Sequence, residues 1–97
     1  MDRLDYKTAD KAFACLNVSM AVQMVFILMM KKPSNVAGIF FQGFHIESEE
    51  VRQQLGEKVL NAVVNGFPKE IANNYTWSVK VYQHDESILV NIKFERL

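Results

Sequence analysis

The sequence predicts an α+β fold: a two-layer sandwich in the order helix, hairpin, helix, hairpin (αββαββ), with a four-stranded, mostly antiparallel sheet and two helices on one face. Three observations point to it. Residues 48–67 carry apolar side chains at helical spacing between clear start and stop signals, and residues 75–95 alternate apolar and polar about a tight turn. Two dense apolar runs, residues 21–31 and 36–47, flank the polar segment Lys31-Lys32-Pro33-Ser34-Asn35 and read as a first hairpin. Two hairpins side by side make the sheet, and helices on one face bury half of it.

The first helix is expected from Lys7 to about Asn17. Ala9, Ala12, Phe13 and Leu16 recur at three- and four-residue spacing there, and Thr8 or Asp5 is available to cap it. Over residues 21–31 the helical period fades: Val22, Met24, Phe26, Leu28 and Met30 fall on one parity and Val25, Ile27 and Met29 on the other, which reads as a strand apolar on both faces. The competing reading is one long helix from Lys7 to Lys32, ended by Pro33, because Met and Leu are good helix formers. A second strand follows from Val36 to Glu47, where three Phe favour strand and Gly38 and Gly43 suggest a bulge or close backbone approach.

Ser48 is placed to cap a second helix whose first turn holds Glu49 and Glu50 at the positive end of the helix dipole. Val51, Leu55, Val59, Ala62 and Val63 form its apolar stripe, and Gly66 before Pro68 stops it. Pro68 to Asn74 is a connection. In the last hairpin Trp77, Val79 and Val81, then Ile88, Val90, Ile92 and Phe94, face inward, opposite Lys80, Tyr82, Asn91 and Lys93, with the turn at His84-Asp85-Glu86-Ser87.

The bulk numbers narrow the function. Ninety-seven residues, 49% hydrophobic and 23% charged, describe one folded domain over residues 1–97. Eleven basic residues balance eleven acidic ones, so no net field draws the chain to phosphates or an anionic membrane, and nucleic acid is an unfavoured partner. The single cysteine, Cys15, cannot make an internal disulfide, and the first residues lack the apolar core of a signal peptide, which together favour a cytoplasmic setting. The longest apolar stretch, Val18 to Met30, falls short of a membrane-spanning helix.

No catalytic, nucleotide or metal motif stands out, so no enzyme activity, cofactor, metal or small-molecule substrate is expected. His45 and His84 lack partners at ligand spacing, and the Glu49-Glu50 and Asp85-Glu86 pairs sit at a helix start and a turn, their ordinary stations. What remains is surplus apolar surface. A first hairpin apolar on both faces is covered on one side only by the helices, and Met-rich surface adapts well to protein partners. The expected function is therefore a protein-protein interaction module that self-associates, with a dimer favoured, through the outer face of that hairpin. The residues expected at the interface are Val25, Ile27, Met29, Ile39 and Phe41, with Lys31 and Lys32 as polar rim. The alternatives are a small regulator or inhibitor docking on a larger protein and, last, a weak nucleic-acid-binding domain using Lys31, Lys32, Lys80, Lys93 and Arg96, for which Tyr82, beside Lys80 on the polar face, is the one aromatic expected to be exposed.

Overall fold

A computed structural model describes residues 2–31 and 35–97, and the chain is α+β. Among the described residues the elements run α1 (Asp2–Ala14), α2 (Val18–Met30), β1 (Val36–Gln42), α3 (Glu49–Asn65), α4 (Lys69–Ala72), β2 (Tyr75–His84) and β3 (Ser87–Arg96). The sheet has three strands in the order β1-β3-β2, with both pairings antiparallel. The expected four-stranded sheet and αββαββ order are thereby corrected: residues 21–30 are helical, and no first hairpin forms.

The physical reason lies in the segment before Val18. Asn17 adopts an extended backbone, and its side-chain oxygen accepts from the Met20 amide at 3.0 Å, a cap that satisfies one of the free amides of a helix start. The chain turns sharply at this cap, so that α1 and α2 are bent by 71° to each other. The single helix from Lys7 to Lys32 is thus also replaced, by two helices. An α2 that is apolar all round satisfies both parities of a strand pattern, which is why alternation could not identify it. Thirteen residues of helix span about 20 Å, and no single helix among the described residues is long and apolar enough to cross a membrane.

The second half of the chain follows its local signals. The Ser48 Oγ accepts from the Val51 amide at 3.3 Å to start α3, and Gly66 ends it. Val51, Leu55, Val59 and Val63 are fully buried against the sheet, where Ala37, Phe41, Val79, Ile88, Val90, Ile92 and Phe94 face inward. Gly56 brings α3 close to β2, because a Cβ there would fall 2.3 Å from Cγ2 of Val81. Residues 68–74, expected as plain connection, include the single turn α4, whose Ala72 carbonyl accepts from Trp77 Nε1 at 3.1 Å. Tyr75, Trp77, Phe67 and Phe94 close that end of the core with ring centroids about 6 Å apart.

Asp5 does not cap α1. It lies inside that helix, buried, and reaches across to the start of α3, where its carboxylate accepts from the amides of Glu47 at 3.3 Å and Ser48 at 3.0 Å. One side chain thus fixes α1 to α3 by charge-assisted bonds at the positive end of a helix dipole. On the neighbouring surface Lys58 lies 4.7 Å over the Phe13 ring and 3.7 Å from Asp10. Asp5→Ala leaves two backbone donors unsatisfied and is expected to lower stability by about 2 kcal/mol in urea unfolding, with Asp5→Asn less affected. Unchanged stability for Asp5→Ala would contradict the pinning role.

Candidate functional site

Helix α2 contains no charged residue. Ala21 and Val25 are buried, while Val22, Met24, Leu28 and Met29 pack partly against the core. Its close approach to the end of α3 is made possible by Gly66, where a Cβ would lie 2.5 Å from Cγ2 of Val22. The opposite face, with Met20, Gln23, Ile27 and Met30 at three- and four-residue spacing, is exposed, and Phe26 joins it. Met20 is 66% exposed, Ile27 51% and Met30 72%, a stripe of large apolar side chains left open among the described residues.

Beside α2 runs β1, an edge strand. The backbone bonds from Phe94 N to Asn35 O and from Gly43 N to Glu86 O bracket its ladder to β3, so the odd residues Ala37, Ile39 and Phe41 exchange bonds with β3. The N–H and C=O groups of Val36, Gly38, Phe40 and Gln42 therefore point away from the sheet, and among the described residues they meet no hydrogen-bond partner. The other edge is treated differently. On β2 the outward Val79 carbonyl accepts from Gln53 Nε2 of α3 at 3.2 Å, and Lys80 stands on the solvent face. Strand β1, with the sequence VAGIFFQ, carries neither the charge nor the proline that blunts an edge.

Between the first half of α2 and β1 opens an apolar cleft of about 390 Å³, lined by Leu16, Met20, Met24, Ile39 and Phe41, with the exposed Cys15 at its rim. The chemistry this arrangement offers is burial of apolar groups together with main-chain hydrogen bonding along the strand. No group of three His, Cys, Asp or Glu that could hold a metal occurs among the described residues.

The residues singled out from sequence scatter. Val25 is 0% and Phe41 4% exposed, so both are core rather than surface: Val25 lies on the inner side of a helix, and Phe41 on the inner face of the sheet. Ile27 and Lys31 are exposed, Met29 and Ile39 are half-buried, and Lys32 lies outside the described residues. Met20, Phe26 and Met30 were left off the expected interface because the segment was sorted as a strand rather than at helical spacing; the Asn17 cap was the signal that could have found them. Phe40 was missed because the faces of β1 were expected the other way round, with Ile39 and Phe41 outward, whereas Phe40 is the residue that faces outward, at 62% exposure. It pairs across the outer face with Leu89, which pairs in turn with Tyr82, so two exposed aromatics share that row rather than one.

The strand expected to run to Glu47 ends at Gln42, and the loop after it is held by polar contacts. Gln83 accepts from the Ile46 amide at 2.9 Å and donates to the carbonyls of Phe44, Asp85 and Ser87. His45 stands in this loop with Nε2 at 2.8 Å from a Glu47 carboxylate oxygen and Nδ1 at 3.2 Å from the Asp85 carbonyl. Both neighbours are acceptors, so both ring nitrogens are best matched as donors, which is the imidazolium form.

Comparison with known proteins gives no family model, curated protein or solved structure that matches this chain.

The Glu47 contact first, then the Asp85 carbonyl, hold the His45 pKa above its ordinary 6.5, with the Glu86 carboxylate adding to it and partial desolvation opposing. Because folding raises this pKa, the stabilisation is fully present below about pH 6.5 and is lost as pH rises through the folded-state value. NMR titration is expected to place His45 above 6.5, and His45→Ala is expected to remove this loss from thermal unfolding curves. A His45 titrating at or below 6.5 would contradict the assignment.

Proposed function

We propose that this chain is a non-enzymatic interaction module that binds a second copy of itself through the surface formed by α2 and β1. The observation that carries this reading is the adjacency of two features, since Met20 of α2 and Phe40 of β1 line the same cleft. An uncharged helix presents Met20, Phe26, Ile27 and Met30 to solvent, and the uncharged strand beside it presents Phe40 and an unpaired backbone edge. An apolar patch of this kind favours association with a partner over exposure to water. A chain of 97 residues also buries a smaller share of its surface than a large one, so a shared interface adds usefully to its stability. The surface is the successor of the hairpin face expected from sequence, with Ile27, Met29, Lys31 and Ile39 retained and Val25 and Phe41 assigned to the core beneath it.

The test uses residues whose replacement leaves the core intact. Light scattering of the purified protein at micromolar concentration is expected to give twice the chain mass. Ile27→Asp combined with Met30→Asp places two charges in the interface and is expected to weaken association at least about 100-fold while leaving the circular dichroism spectrum unchanged. A native protein of single-chain mass throughout the micromolar range would contradict the reading.

A further inference from the structure

The geometry of β1 fixes more than the fact of association, and on the self-association reading it points to one arrangement. We infer that two copies join β1 to β1 in antiparallel fashion about a two-fold axis at Ile39, giving one continuous six-stranded sheet in the order β2-β3-β1-β1-β3-β2.

The backbone selects the register. Only Val36, Gly38, Phe40 and Gln42 direct their N–H and C=O groups toward the open edge, so a partner strand bonds only where these residues meet their own kind. Gly38 opposite Phe40, with Val36 opposite Gln42, pairs all four residues of each copy. Shifting the partner by two residues in either direction leaves one of the four without a mate, and shifting by one residue turns the bonding groups away from each other. A two-fold interface requires that if residue i meets j then j meets i, and this register obeys that rule throughout.

The side chains fit the same register. On the outer face Phe40 of one copy lies against Gly38 of the other, a strand glycine covered by an aromatic ring, and there is no Cβ at Gly38 to obstruct it. On the inner face Ala37 stands opposite Phe41, again small against large, and Ile39 meets Ile39 beside the cleft under α2. Neither β1 nor α2 carries a charge, so no like charges meet along the seam. At its ends, antiparallel pairing sets the entry to one β1, with the exposed Lys31 upstream, toward the exit of the other, where Glu47 and Glu86 are exposed.

Apolar surface is available on both sides of this edge. Met20, Phe26, Ile27, Met30, Val36 and Phe40 are each 43% to 72% exposed. Together they expose roughly 600 Å² of apolar surface per copy, against the total of about 1,200 Å² that a stable interface buries; edge-to-edge pairing covers the part nearest the seam, and the paired backbone adds to it.

The test reads the register directly. In a Cys15→Ser background Ile39→Cys sets two thiols opposite each other at a non-hydrogen-bonded pair, where Cα atoms are about 4.5 Å apart and within disulfide reach. Val36→Cys sets them six residues out of register, about 20 Å apart. Under oxidised glutathione the first variant is expected to run as a covalent dimer on a non-reducing gel and the second as a single chain. No cross-link at position 39 in a protein that still doubles its mass by light scattering would overturn this arrangement while leaving self-association standing, and equal cross-linking at both positions would overturn it too. A native protein of single-chain mass would overturn both. Should Ile39→Cys fail to fold, an equal mixture of ¹³C-labelled and unlabelled native protein decides: an intermolecular Hα–Hα nuclear Overhauser effect at Ile39 is expected, and its absence in the dimer would overturn the register.

Discussion

A three-stranded antiparallel sheet has two edges, and every second residue along each edge strand holds out a backbone donor and acceptor that the sheet itself cannot use. The organisation of this molecule depends on how those two rows are handled. Strand β3 lies between its neighbours with both rows occupied, and its inward Ile88, Val90, Ile92 and Phe94 are the fully buried centre of the core. At β2 helix α3 approaches through Gly56 and gives Gln53 to the Val79 carbonyl. At β1 nothing comparable is present among the described residues, and the strand left open is the most apolar of the three, beside a helix that carries no charge. The functional reading grows from that asymmetry.

The polar parts of the chain hold the frame in which this edge is presented. Asp5 fastens α1 to the first turn of α3, and Gln83 fastens the loop after β1 to the β2–β3 hairpin by two hydrogen bonds, from the Ile46 amide and to the Phe44 carbonyl, while two more, to the Asp85 and Ser87 carbonyls, brace the hairpin turn itself. At the tip of that hairpin Asp85 takes the left-handed conformation, with φ of 53°, and its carbonyl faces both Gln83 and His45. These contacts make the exit of β1 a fixed point, so the strand's outward groups are held in line rather than left to a wandering loop. Preorganisation of this kind lowers the ordering cost of adding a strand.

The second half of the chain was legible because its signals are local and agree with one another. Ser48, Glu49 and Glu50 mark the start of α3, Gly66 marks its end, and strict alternation from Trp77 to Phe94 sorts the faces of β2 and β3. The first half was not, because residues 18–30 are apolar in every direction and so match either period. Only the Asn17 side chain distinguishes them, and its effect lies in a hydrogen bond to Met20 that no hydropathy pattern records. Once α2 was read as a strand, the sorting of its residues by parity placed Val25 on the surface and left Met20 and Met30 out. The surplus of apolar surface could be read from composition and order, whereas its address depended on the three-dimensional choice between helix and strand. The unpaired edge of β1 was hidden for a simpler reason: which strand lies in the middle of a sheet is a matter of pairing partners far apart in sequence.

Amide hydrogen exchange on the native chain, followed residue by residue across a range of protein concentrations, tests the central claim most directly. The amides of Ala37, Ile39 and Phe41 bond to β3 and are expected to be protected at every concentration, whereas those of Gly38 and Phe40 should gain protection as concentration rises and lose it on dilution. Fast exchange at Gly38 and Phe40 under all conditions would contradict the account, because it would leave the edge of β1 open to water even where the chain is most crowded with its own kind.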